Sequence, residues 1–60
     1  MDISTIIRAA QMLVEFNLVD SNYNVHADSL SFLSSYFGLP SYERAFTLGT
    51  EASLYLKGTL

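Results

Sequence analysis

An all-α fold is what this 60-residue sequence predicts, on three observations. Apolar residues recur at helical spacing near the N-terminus. A second apolar run halts at Gly38-Leu39-Pro40, and a third begins directly behind Ser41, a residue type suited to capping a helix. The expected architecture is one small helical domain, residues 1–60, of three to four helices: helix 3–17, helix 28–37, helix 41–48, and a short C-terminal helix or strand over 51–57. The stretch Ser29–Leu48 organises the rest.

In the first helix, Asp2 or Ser4 supplies the cap. At ~100° per residue, Ile3, Ile6, Ile7, Ala10, Leu13 and Val14 fall on one stripe. Ala9, Met12 and Phe16 widen it, leaving Ser4, Arg8, Gln11 and Glu15 a narrow polar strip. An apolar arc this broad asks for two neighbours, one of them the core and the other a further copy of the chain. A homodimer through the first helix is therefore expected.

Residues 18–27 break the helical pattern. Asp20-Ser21-Asn22 is turn chemistry, because such side chains compete for local backbone hydrogen bonds. Tyr23, Val25 and Ala27 alternate with Asn24 and His26, which suits either a short strand or an ordered surface loop. Asp28 or Ser29 starts the second helix, with Leu30, Leu33 and Phe37 inward and Phe32 and Tyr36 on the margin. Gly38 supplies the left-handed residue that ends it, and Pro40 forbids continuation. Ser41 caps the third helix, whose inward side is expected to be Tyr42, Ala45, Phe46 and Leu48, with Gly49 closing it. Thr50 then starts the last element. Ala52 to Lys57 alternates at the strand period, so helix and strand both remain open there.

Size and composition bound the function. A chain this short buries only about 60% of the surface its unfolded form exposes. With no cysteine and a single histidine, neither a disulfide nor a zinc site can reinforce it. Half of the residues are nonetheless hydrophobic and only 15% are charged. Surplus apolar surface of this kind marks contact surfaces. The net charge of −3 comes from Arg8, Arg44 and Lys57 against six acids, and three scattered cations form no phosphate-binding patch. The N-terminus lacks the basic region of a secretory signal, and no run approaches the ~20 apolar residues of a membrane span. A cytoplasmic location without membrane association is expected.

No constellation supports catalysis. His26 stands alone, the serines lack a nucleophile elbow, and the three glycines form no phosphate loop. No enzyme activity and no cofactor or metal are expected. Leu30, Leu33, Phe37, Gly38, Leu39 and Ala45, around the helix–Gly–x–Pro–Ser–helix stretch, resemble the helix-turn-helix DNA-binding family over about a third of the chain. That resemblance implies a dimeric DNA-binding regulator reading with Ser41, Arg44 and Thr47. Pro40-Ser41 makes the turn one residue longer than usual, and Glu43 offsets Arg44.

The reading the residues favour is a non-enzymatic protein-binding module, a small regulator or inhibitor that self-associates through an apolar, aromatic surface. Tyrosine and phenylalanine suit such surfaces, being large and fairly rigid. Met12, Phe16, Phe32 and Tyr36, at the margins of wide apolar arcs, are the contact candidates, whereas Phe37 and Phe46 are assigned to the core.

Overall fold

A computed structural model describes residues 1–59, and its architecture is all-α: α1 (Ile3–Glu15), α2 (Ser29–Tyr36) and α3 (Tyr42–Leu56), with no strand among the described residues. The longest helix, α3, packs against both of the others. The radius of gyration is 10.0 Å, close to the ~10 Å of a compact chain of this length.

Local chemistry starts and stops each helix. The Asp2 carboxylate accepts from the Thr5 N–H at 3.0 Å and from the Thr5 hydroxyl at 2.7 Å, capping α1. Ser41 caps α3 by accepting from the Arg44 N–H at 3.3 Å. Asp28, by contrast, makes no capping bond, and α2 enters instead through backbone turns from His26 and Ala27. All three helices close in the same way, with a left-handed residue just past the end: Asn17 (φ 58°), Gly38 (φ 60°) and Gly58 (φ 81°). In each case the next N–H reaches back to the helix, Leu18 to the Leu13 carbonyl, Leu39 to Ser34 and Thr59 to Leu54. These are Schellman closures, which satisfy carbonyls that the helix itself leaves unpaired.

Two expectations are corrected at the C-terminal end. The proposed helix 41–48 and the element at 51–57 are one continuous helix, and the strand alternative does not occur. Gly49 does not close a helix; it lies buried inside α3. A glycine in a helix interior costs about 1 kcal/mol relative to alanine, so a packing reason is expected, and one is visible. A Cβ at this position would sit 3.1 Å from Leu30 Cδ2, 3.6 Å from Leu33 Cδ1 and 3.8 Å from Val25 Cγ1. The α2 side chains occupy the space that any larger residue would need.

The core consists of Ile6, Ala9, Ala10 and Leu13 from α1, Leu30 and Leu33 from α2, and Ala45, Leu48 and Ala52 from α3. On α1 the buried residues follow the i, i+3, i+4, i+7 spacing of a single face. That face is narrower than the expected arc: Ile3 and Val14 are exposed, while Ala9 is fully buried. On α3 the inward face is Leu48 flanked by the small residues Ala45, Gly49, Ala52 and Ser53, and two expected core residues lie outside it. Tyr42 is 65% exposed and Phe46 57%. Ala45 adjoins Phe46 in sequence and so points ~100° away around the helix; the inward face is centred on Ala45, Leu48 and Ala52, and Phe46 falls at its margin, where its ring is left largely in solvent.

The segment between α1 and α2 forms a tight, fastened loop rather than a strand. Val19 and Val25 make a single antiparallel bridge. The Asp20 carboxylate accepts from the Asn22 and Asn24 N–H groups, each at 2.9 Å. Leu18, Val19 and Val25 pack against the core, so the segment is half interior. Two buried serines tie it down. Ser29 Oγ donates to the Leu18 carbonyl at 3.1 Å, and Ser53 Oγ donates to the Tyr23 carbonyl at 2.8 Å. Lys57 Nζ donates to Asn24 Oδ1 at 2.7 Å.

Two predictions follow from this packing. Gly49→Val places branched carbons against Leu30 and Leu33, and we expect it to lower stability by about 1–3 kcal/mol in chemical denaturation, as overpacking does. The second concerns acid. The Asn24 N–H foremost holds the Asp20 carboxyl below its ordinary 3.8; burial is the next largest effect and opposes it, and the Asn22 N–H, the Asn24 side chain and the charge of His26 add to the lowering. A carboxyl lowered in the folded state stabilises the fold above its unfolded value and loses that contribution as pH falls through the folded one. The stability gap between the parent and Asp20→Ala should therefore close progressively below pH 3.8, as read from thermal unfolding across pH. A gap of constant size would contradict the assignment.

Candidate functional site

The C-terminal closure of α1 fixes Phe16 at the cap position, where its ring leaves the helix beside α2. On α2, Phe32 and Tyr36 are four residues apart and therefore neighbours on one face. The three rings make a continuous row. Phe16 and Phe32 lie 5.7 Å apart between centroids, tilted at 59°. Phe32 and Tyr36 lie 5.9 Å apart and stack at 22°. Phe37 extends the row, edge-on to Tyr36 at 5.0 Å and 68°. Arg8 closes its far end, with the guanidinium carbon 5.6 Å from the Phe37 centroid.

These contacts make the row rigid. Aromatic pairs in such geometries contribute about 0.5–1.5 kcal/mol beyond the area they bury, and an exposed cation–ring contact about 0.5–1 kcal/mol. Phe32 and Phe37 pack partly on the core, anchoring the row from beneath. Phe16 and Tyr36, each 54% exposed, leave much of their rings in water. The result is an ordered apolar ledge between α1 and α2, with one cation at its edge.

Three of the four contact candidates, Phe16, Phe32 and Tyr36, are thus brought together. The fourth, Met12, is partly buried on the same side of α1, between Arg8 and Phe16. Sequence reasoning missed Phe37 and Arg8 as members of the row. Phe37 packs on the core, as expected of it, yet also offers a ring edge to Tyr36 and a ring face to Arg8. The signal for Arg8 was its i, i+4, i+8 spacing with Met12 and Phe16, which puts a cation beside an apolar flank.

The DNA-contact candidates lie at the start of α3. Ser41 Oγ is engaged by the Arg44 N–H as the helix cap, and Thr47 Oγ1 donates to the Glu43 carbonyl at 3.0 Å. Both hydroxyls therefore serve their own backbone, and Arg44 is the exposed cation between them. On another side of α3, a shallow cleft of about 280 Å³ is lined by Val25, Leu30, Phe46, Gly49, Leu54 and Lys57, among others. Its lysine is already held by Asn24.

Among the described residues, no cluster of three or more His, Asp or Glu side chains is placed to hold a metal ion. His26 is exposed in the loop, and the two buried serines donate to backbone carbonyls. No helix among the described residues is long and apolar enough to cross a membrane. No family model, no curated protein and no solved structure matches the chain.

Proposed function

We propose that the chain is a non-enzymatic protein-binding module, a small regulator or inhibitor, whose contact surface is the row Phe16–Phe32–Tyr36–Phe37 with Arg8 at its edge. The observation that carries this reading is the half exposure of Phe16 and Tyr36 within a fixed row. Rings held in place before binding lose little conformational freedom on contact, and aromatic side chains with arginine dominate the energetics of protein interfaces. Met12 adds an adaptable apolar side chain at the same margin. Self-association is part of the proposal, since the row gives a chain with few means of internal reinforcement a surface to bury. The cysteine-free composition suits a reducing cytoplasm, which is the compartment we propose.

The helix-turn-helix reading has less support. Ser41 and Thr47 are committed to the helix backbone, and Arg44 has Glu43 as its sequence neighbour. A DNA binder would show affinity falling steeply with salt and largely removed by Arg44→Ala. We expect no such binding to duplex DNA at physiological ionic strength.

Phe16→Asp and Tyr36→Asp test the contact surface at exposed positions. Both variants should keep the helical circular dichroism of the parent while losing assembly and partner capture by 10-fold or more, as truncation of an aromatic anchor does, at roughly 1.4 kcal/mol per decade. Parent-like behaviour of both variants in both assays would refute the surface.

A further inference from the structure

We propose that the occupant of the aromatic face is a second copy of this chain, docked with α1 antiparallel to its counterpart so that Arg8 of each protomer meets the partner's Glu15. The proposal rests on the aromatic row being a contact surface, and it adds the identity of the partner and the register of docking.

The argument begins with the outward strip of α1. Ser4, Arg8, Gln11 and Glu15 are all exposed and line the side of the helix away from the core. The strip is electrically polar, with a cation towards one end and an anion at the other. Arg8 and Glu15 are seven residues apart, ~10 Å along the axis at 1.5 Å per residue, beyond the three- and four-residue spacings at which side chains on one helix meet. Their complement is therefore a strip of reversed polarity. An antiparallel copy of α1 supplies it: a twofold axis passing between Gln11 and Met12 sets position 8 against position 15 twice. Parallel pairing would set Arg8 on Arg8 and Glu15 on Glu15, where like charges oppose docking.

Glu15 gives an independent indication. It occupies the last turn of α1, where the helix dipole disfavours a carboxylate, and α1 has no basic residue in that turn. A guanidinium from the partner placed there would offset both charges. Arg8, for its part, is already held against Phe37, so its ordering is complete before docking.

The same twofold axis places both aromatic rows on one side of the α1–α1 seam, where the half-exposed Phe16 and Tyr36 rings of the two protomers close over it. Closed isologous pairing of this kind is the commonest form of self-association. A standard interface takes about 800 Å² from each partner, roughly a fifth of the 3809 Å² that the chain exposes. The outer sides of α1 and α2 together form the face that would supply it.

Charge reversal tests the register on the full chain by analytical ultracentrifugation across micromolar concentrations. The parent should sediment as a reversible dimer. Arg8→Glu and Glu15→Arg, both at exposed helix positions, should each weaken it about tenfold or more by setting like charges together. The double variant Arg8→Glu/Glu15→Arg should regain most of that loss, because the two reversed charges again face opposite signs across the seam. A parent monomeric at every concentration overturns the proposal, as do single reversals without effect or a double variant no better than either single. Phe16→Asp separates this from the underlying reading. If the parent is monomeric but Phe16→Asp abolishes capture of a different protein, the contact surface stands and self-docking falls. A dimer indifferent to the charge reversals and to Phe16→Asp removes both.

Discussion

The close approach of α2 to α3 at Gly49 is the constraint from which the rest of the molecule follows. Leu30 and Leu33 press onto a helix surface that has no side chain at that point, and Ala45 and Ala52 continue the small-residue line above and below. Short side chains let the helices meet with little bulk between them, which suits a chain too short to build a thick core. Leu13, Leu33 and Leu48, all fully buried, then fill the remaining interior.

That economy displaces the large residues outward. With Leu48 the one large side chain on the inward face of α3, beside alanine, glycine and serine, the aromatic residues Tyr42 and Phe46 stand in solvent. The rings of α2 find a different solution by lying against one another and against Phe16 at the end of α1. The aromatic ledge is thus a by-product of how the core is built, and it leaves two half-exposed rings that gain from being covered. Its order comes from the Schellman closure that positions Phe16 and from the core packing beneath Phe32 and Phe37.

The fold is legible in the sequence wherever backbone and side-chain signals agree. Asp2, Ser41 and Gly38 are cap residues beside apolar periodicity, and they mark real helix ends. Gly49 is misleading because glycine serves two purposes: as a stop it permits positive φ, whereas here it permits contact, and only the neighbouring leucines tell which. The alternation from Ala52 to Lys57 misleads similarly, since a six-residue window fits both periods until the position of α2 is known. Asn17 and Gly58 end helices for a reason visible in their residue types, though nothing local distinguishes them from ordinary surface residues. Of the candidate site, the flanks of the apolar arcs identify Phe16, Phe32 and Tyr36. Spacing along α1 puts Arg8 beside Met12 and Phe16, but its seat on the Phe37 ring needs the three-dimensional placement of α2.

The fastening of the 20–24 turn has a consequence for how the structure comes into being. Its two clasps, Ser53 to Tyr23 and Lys57 to Asn24, span thirty and thirty-three residues of chain. In a chain synthesised from its N-terminus, the turn is made early but acquires its anchors only when the last helical turn has emerged and wound. Until then the turn has only its local bonds, those of the Asp20 carboxylate and the Val19–Val25 bridge. The final turn of α3 is thus placed as a latch on a segment laid down long before it.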